Sequence, residues 1–481
     1  MLTLHGDPVD VLFDAVLPEE VKALPAELAA LDELLSDPAL LQVFATHWRT
    51  VVAETHPTAL ERGRPTIAMD TYLRLMVLKH RSGLGYETLM KAVSDSLHLR
   101  RFCGIALSES VPDESTVRKL TRRIGPGVTD ELVRQVAERA LADKVLRPRA
   151  MRVDSTVAAA DIRYPTDSGL AADAVRVLAR EGRRVAAAVP TVSARVRDRS
   201  RSVGRRLRAL TRTLRRRSGE AKTEVQRLTE QTASQLEASI RDAEKVLAQA
   251  RRSRSKARGV SWAARAKAIA RLEEFVILAR RVTEQVAMRF RGERITNRLV
   301  SLFDPDARPI RRGKLAHPNE FGYVVQFAEV TANTKPGARG LLVPPKLEAG
   351  STPENTLLPG TATELEHLGV RLKEASFDAG FNRPDTEASL PGVTAHIVGS
   401  HGNAGSRRTR RRLANYRVGA EGRISHLKRG YGAGRPRLKG TQGARIWESW
   451  SALAYNLDTV ALLKKRAADK QRSPQQARAT T

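Results

Sequence analysis

The chain has 481 residues, 41% of them hydrophobic, and its 83 Lys and Arg against 53 Asp and Glu give a formal net charge of +30. That length exceeds what one hydrophobic core organises and points to about two to four domains, while a pI near 11.0 points to a polyanionic partner, nucleic acid first and an anionic membrane surface second. One cysteine, Cys103, excludes an intramolecular disulfide framework and a cysteine-rich zinc site; no apolar run approaches the ~18 residues of a spanning helix and the acidic N-terminus lacks a signal-peptide pattern, so the expectation is an intracellular protein with no membrane partner.

Residues 1–60 are mildly acidic, rich in Leu and Ala, and broken by Pro18, Pro25 and Pro38, which predicts a region of short helices. A helical domain over 61–145 follows. Gly63-Arg64-Pro65 opens it, and Tyr72, Leu73, Met76, Val77 and His80 recur at helical spacing. Ser82-Gly83 stops that helix, a second starts near Tyr86, and Leu97 to Gly104 follow. Ser115 and Thr116 are the candidate caps of a basic helix from Val117 to Ile124. Short helices, a glycine turn and a final basic helix fit a helix-turn-helix-like DNA-binding domain. The order Gly-Arg-Pro, apolar helix, Ser82-Gly-Leu-Gly-Tyr86, Leu99-Arg-Arg-Phe-Cys-Gly104 and Val111-Pro-Asp-Glu-Ser-Thr116 resembles the InsH-type N-terminal helical domain of bacterial insertion-sequence transposases, over about 60–125.

From residue 146 the register changes. Met151-Arg-Val153-Asp154-Ser155-Thr156 is a short apolar strand ending in an acid and two hydroxyls, where Asp154 is either a turn residue or a metal ligand, with Asp161 and Asp167 as competitors. Residues 169–294 form an island rich in Arg, Ala, Ser and Glu. Val225, Leu228, Thr232, Leu236, Ile240, Ala243, Leu247 and Ala250 step by three or four along one long amphipathic helix, and Trp262, Ala266, Ile269, Leu272, Val276, Ala279, Thr283, Val286 and Phe290 along another, which predicts an antiparallel, coiled-coil-like hairpin. A preceding helix ends in the arginine-rich run 205–217, either a solvated face or a phosphate-binding one.

Beyond Arg298, residues 299–303 and 321–330 are predicted strands of an antiparallel pair, with Arg311, Arg312 and Lys314 between them as candidate phosphate contacts. A helix over 353–368 precedes a strand that runs into Phe377-Asp378-Ala-Gly380, whose small residues leave room for close approach to the backbone. One more strand, 393–398, leads to the basic linker Arg407, Arg408, Arg410, Arg411 and Arg412, and then to a helix carrying Arg417, Glu421 and Lys428. Offsets of four and seven put these three side chains on one face. By themselves they make a solvated face with one ion pair. An apolar helix near 447–463 follows, then a tail, 464–481, expected to be disordered.

The order Val153-Asp154, hairpin strands, helix, Phe377-Asp378 and Glu421 helix resembles DDE transposases of insertion sequences. Their Arg, three residues, Glu, six residues, Lys motif is matched in full by Arg417, Glu421 and Lys428. The family motif also has a Tyr three residues before the Arg; here that position is Ala414, and Tyr416 stands beside Arg417 instead. The resemblance implies a mixed α+β, α/β multidomain chain: the N-terminal helical domain plus a ribonuclease-H-like mixed-sheet core over 146–168 and 295–463, interrupted by the helical insertion. It also implies catalytic, metal-binding roles for Asp154, Asp378 and Glu421 toward two Mg²⁺ or Mn²⁺ ions, and DNA contacts by Arg417, Lys428 and the arginines named above. The partners implied are double-stranded DNA, as element terminal repeats and target, and a second copy in a homodimer. The location implied is the bacterial cytoplasm, on the nucleoid. Three rival readings stay open: a regulatory DNA-binding protein, an inactive derivative, and a ribonuclease-H-like nuclease without strand transfer.

Overall fold

The computed structural model describes residues 1–6, 16–52, 54, 64–213, 215, 219–311, 319–383, 386, 388–389 and 392–479. The chain divides into two compact units, Met1–Ala160 with Tyr323–Thr481, and Asp161–Gly322. The inserted unit is thus wider at both ends than the 169–294 expected, and the N-terminal helices share one unit with the sheet.

Short helices α1 (Ala26–Leu35) and α2 (Pro38–His47) open the first unit. Helix α3 (Met69–Ser82) stops at Gly83, which takes the left-handed φ of 67° that Gly alone adopts freely. Helices α4 (Tyr86–Asp95) and α5 (Leu97–Phe102) lead to α6 (Glu114–Ala142). Asp113, not Ser115 or Thr116, caps α6, accepting a hydrogen bond from Ser115 N at 2.9 Å. A break at Gly125, φ 77°, with Pro126 next, divides α6 into two helices. Helix α3 is buried nearly all round, from Thr71 to His80 apart from Arg74, so it forms the interior of this domain.

Strand β1 (Ala150–Ala159) is followed by the second unit. There α7 (Asp167–Ala188), α8 (Ser200–Thr213), α9 (Gly219–Arg252) and α10 (Trp262–Phe290) share an apolar core that includes Leu178, Leu236, Ile240, Leu272 and Phe275. The ion pairs Arg251–Glu273, 2.9 Å, and Arg280–Glu244 run in opposite sense along α9 and α10, so the two are antiparallel. Helix α7 packs on both, which makes a bundle rather than a free hairpin arm.

Residues 299–303 are not a strand. Leu299 and Leu302 are buried in the helical core, and the Gln285 side chain bonds both the N–H and the carbonyl of Leu299, replacing a ladder partner. The strand paired with the start of β3 (Asn319–Thr331) is instead β2 (Arg308–Arg311), which pairs antiparallel with residues 319–322 inside the second unit.

In the first unit β4 (Leu341–Leu342) and β5 (Lys346–Ala349), absent from the sequence reading, pair antiparallel with β3. Helix α11 (Leu358–His367) precedes β6 (Glu374–Phe377), and β7 (Ala395–Val398) precedes α12 (Arg407–Gly430). In the sheet β3 neighbours β1, which pairs parallel with β6, and β6 parallel with β7. The last helix, α13 (Gly440–Ala479), runs through residues 464–479 of the segment expected to be a disordered tail. Its Lys, Arg, Ala and Gln are all good helix formers. Among the described residues no helix is long and apolar enough to cross a membrane.

Helix α13 packs on α1, α3 and α6 and joins the N-terminal helices to the sheet. Trp450 meets the Tyr72 ring edge-on at 5.9 Å, Ser449 donates to Asp130 at 2.6 Å, and Asp458 pairs with Arg81 at 3.0 Å. His80 is buried between Trp447 and Trp450, where burial pushes its imidazole down to about 3 and keeps it neutral.

Candidate active site

Strand β1, interior to the sheet between β3 and β6, is buried on both faces from Ala150 to Val153. Val153 is in register with Phe377, the last residue of β6, so the next residues, Asp154 and Asp378, stand side by side where β6 ends, while β1 runs on to Ala159 rather than ending at Asp154 as the sequence suggested. Adjacent strands lie about 4.8 Å apart. Asp378 then closes a short turn, its carbonyl accepting from Phe381 N at 3.1 Å. The ends of parallel strands are where an open sheet presents side chains to a ligand.

Helix α12 starts at the cap Ser406, whose hydroxyl accepts from Thr409 N at 3.1 Å, and packs across β1, β6 and β7. Two contacts fix which face it turns to the strand ends. Arg417 Nη1 lies 3.1 Å from Asp378 Oδ1, and Lys428 Nζ donates to Thr156 Oγ1 at 2.7 Å. Glu421 lies between them on the same helix face and is exposed. Among the described residues no three His, Cys, Asp or Glu side chains gather into a group able to hold a metal ion, and Asp378 has a guanidinium as its partner. The Asp378 side chain is 51% exposed and that of Arg417 27%, so the pair is open to solvent and to exchange of partners.

Beneath this surface lies a network of charges that the sequence reading missed. Arg152, on β1, and Glu329, on β3, are both buried and joined at 2.6 Å; Arg423 of α12 pairs with the other Glu329 oxygen at 3.0 Å, and Tyr455 donates to it at 3.0 Å. Arg152 also donates to the Tyr416 carbonyl at 3.3 Å and stacks on its ring. The Tyr416 hydroxyl bonds Thr331 at 2.6 Å, so this tyrosine faces the sheet while Arg417 faces the strand ends. The available signal was a charge within an apolar run of each strand, Arg152 in β1 and Glu329 in β3.

Gly419 is where α12 passes over Arg152, and a Cβ there would run into the guanidinium. We expect Gly419→Ala to lower stability by about 1–3 kcal/mol despite the better helix propensity of Ala, measurable as a shifted denaturation midpoint. Lys428 is held in a similar way. Its stem lies against Gly434, φ 79°, whose N–H is held by both oxygens of the fully buried Glu448 and whose carbonyl accepts from Ala159 N at 2.8 Å.

Burial pushes the Glu448 carboxyl up to about 8 from an ordinary 4.5. The folded chain therefore keeps a proton that the unfolded chain releases, and stability falls as pH rises from about 4.5 to about 8, then levels off. In Glu448→Gln this contribution to the slope is expected to vanish, as melting temperatures at pH 5 and pH 8 will show.

The basic residues before Arg417 divide into two groups. Arg412 makes two 2.7 Å bonds to Glu374 and holds that carboxyl below its usual range, and Arg410 donates to the carbonyls of Ser400 and Gly402 at 2.8 Å. Both therefore fix local structure. Arg407, Arg408 and Arg411 are exposed. Arg311 is exposed at the end of β2 in the second unit, and Arg312 and Lys314 lie outside the described residues.

Residues 24–123 match the family model of a transposase domain, DUF772. The chain is also 32% identical over 127 residues to an uncharacterized protein, ORF8 of the nfe locus of Rhizobium meliloti, a match that takes in 25% of this chain and 61% of that protein. No solved structure matches the chain. The transposase-domain match covers α1 to the first part of α6 and includes none of Asp154, Asp378 and Glu421.

Proposed function

We propose that the chain is a DNA transposase of the DDE type, which cleaves and joins DNA phosphodiesters at the ends of a mobile element. The observation that carries this reading is the register of β1 and β6, which sets Asp154 beside Asp378 at the end of β6, beneath the helix face that bears Arg417, Glu421 and Lys428. The transposase-domain match over 24–123 supports it independently. A ribonuclease-H-like core is supported by the strand order: β4 and β5 at one edge, then β3, β1, β6 and β7, with the last three parallel.

The donor set suits hard divalent cations, since all three groups are carboxylates and Asp378 and Glu421 are solvent-accessible. Asp154, Asp378 and Glu421 would hold two Mg²⁺ or Mn²⁺ ions, which supply charge stabilisation to the attacking and leaving oxygens of a phosphodiester. Asp378 would exchange its guanidinium partner for the cation. Arg417 and Lys428 then offer fixed positive charge over the same strand ends, suited to the flanking phosphates. Lys428 is the better positioned of the two, because Thr156 and the Gly434 turn restrain it. Arg407, Arg408 and Arg411 extend the cationic surface along α12, and the N-terminal helices are the proposed helix-turn-helix-like reader of the element ends. A homodimer follows from the need to cut two ends.

The test is cleavage of DNA that carries the repeats flanking the chain's own coding segment. Cleavage with Mg²⁺ and none with Ca²⁺, whose larger and looser coordination shell suits the geometry poorly, is the expected result. Equal cleavage in EDTA would overturn the reading.

A further inference from the structure

The inserted unit carries most of the charge. Residues 161–322 hold 38 Lys and Arg against 18 Asp and Glu, a net of +20 out of the +30 of the whole chain in one third of its length. Many of these cations are internally paired: Arg183 with Asp198, Arg199 with Asp242, Arg251 with Glu273, Arg298 with Asp167. Helix α8 carries a row of cations that are not.

Arg201, Arg205, Arg208 and Arg212 of α8 are all exposed, and among the described residues none has a carboxylate partner. Steps of four, three and four residues put them within an arc of about 60° and along about 16 Å of helix. The opposite face buries Val203 and Leu210 in the bundle, and Arg206 is turned inward to Gln231 and Ser202. The stripe is therefore a fixed row of guanidinium groups on an anchored helix. Four like charges at one-turn spacing repel one another, so the row costs stability unless something anionic lies across it.

We infer that this arginine face of α8 is a second DNA-binding surface, one that grips the phosphate backbone of duplex DNA without reading its sequence. The side chains on the stripe favour a duplex over other polyanions. Single strands are held by aromatic rings that stack on bases, and membranes by apolar side chains that enter the lipid. No large exposed hydrophobic or aromatic side chain lies on α8. A row of guanidinium groups alone matches a regular phosphate array, about one charge per 1.7 Å of duplex axis. The inference needs DNA as a partner but not the carboxylate chemistry.

The experiment measures binding of the full chain to a fluorescent duplex of arbitrary sequence. It is done in EDTA and in an Asp154→Asn background, so that cleavage plays no part and a failed metal reading leaves the result intact. Each phosphate contact contributes about 0.9 to the slope of log affinity against log salt. The R201Q/R205Q/R208Q/R212Q variant should lose about 2–4 of that slope and at least about tenfold in affinity near 0.1 M salt. The corresponding four-lysine variant should retain both. Should the glutamine variant fail to fold by circular dichroism, single Arg205→Gln and Arg208→Gln variants serve, each losing about 1 of the slope. An unchanged slope in variants that fold overturns the inference, as does loss of duplex RNA binding with duplex DNA binding retained.

Discussion

Asp154→Asn and Asp378→Asn are each expected to lower Mg²⁺-dependent cleavage by at least about a thousandfold, since groups that act as one catalytic unit fail together, while DNA binding stays within about twofold of the parent. The amide keeps the shape of the carboxylate and removes the charge that a hard cation requires. Stability should move little. Asp378 is half exposed and its one ion pair, with Arg417, is of the open kind worth about 0–1 kcal/mol. Glu421→Gln belongs to the same series and has still less to disturb, because the side chain is exposed. End cleavage by gel assay, binding by anisotropy and melting by circular dichroism on the same preparations separate chemistry from folding. Full strand transfer by Asp378→Asn would remove Asp378 from the site.

Glu329→Gln should have the opposite profile, a fold lost before any chemistry is tested. Glu329 is the anion between Arg152 and Arg423, with exposures of 2%, 4% and 13% for the three side chains. Neutralising it leaves two cations with little access to water and takes acceptor capacity from Gly340 N and Tyr455 as well. Breaking a buried pair in this way costs about 3–5 kcal/mol. For a unit of about 320 residues that is roughly 4–8 °C in melting temperature. Arg152→Met alone should cost a similar amount, and the Arg152→Met/Glu329→Gln double variant less than the sum, as residues in one network are not additive. Additive losses in urea denaturation would show that the two side chains do not act together.

The two kinds of residue were unequally visible in the sequence. That Asp154 and Asp378 each follow an apolar strand residue was legible, because a strand of alternating or continuous hydrophobics is a local pattern. The α12 face was legible for the same reason, since offsets of four and seven are local geometry. The α9–α10 hairpin followed from apolar residues recurring at helical spacing. What failed was any pairing set by distant residues. Residues 299–303 have the composition of a strand, but their apolar side chains found a helical core and Gln285 took their backbone groups. Strands β4 and β5, two and four residues long, are too short for a period to register. Arg152 and Glu329 lie 177 residues apart, so the sequence could mark each as an oddity in its strand but not join them. The cap of α6 lies two to three residues before the expected Ser115 or Thr116 for a simpler reason: Asp113, Ser115 and Thr116 are all capping types, and only geometry chooses among them.

The place of α13 bears on how the polypeptide comes off the ribosome. Tyr72, Arg81 and Asp130 belong to the first third of the chain, yet Trp450, Asp458 and Ser449 complete their surroundings. During synthesis the N-terminal helices must therefore wait, with apolar faces uncovered, until more than 300 further residues have been made, whereas 161–322 can bury its own core as soon as it emerges. At about 5–20 residues per second that wait lasts tens of seconds, long enough for chaperones to engage the nascent helices. A chain interrupted before residue 440 would present the same uncovered faces permanently, and we expect such truncations to be recovered as aggregates or degradation products rather than as a separately folded N-terminal domain.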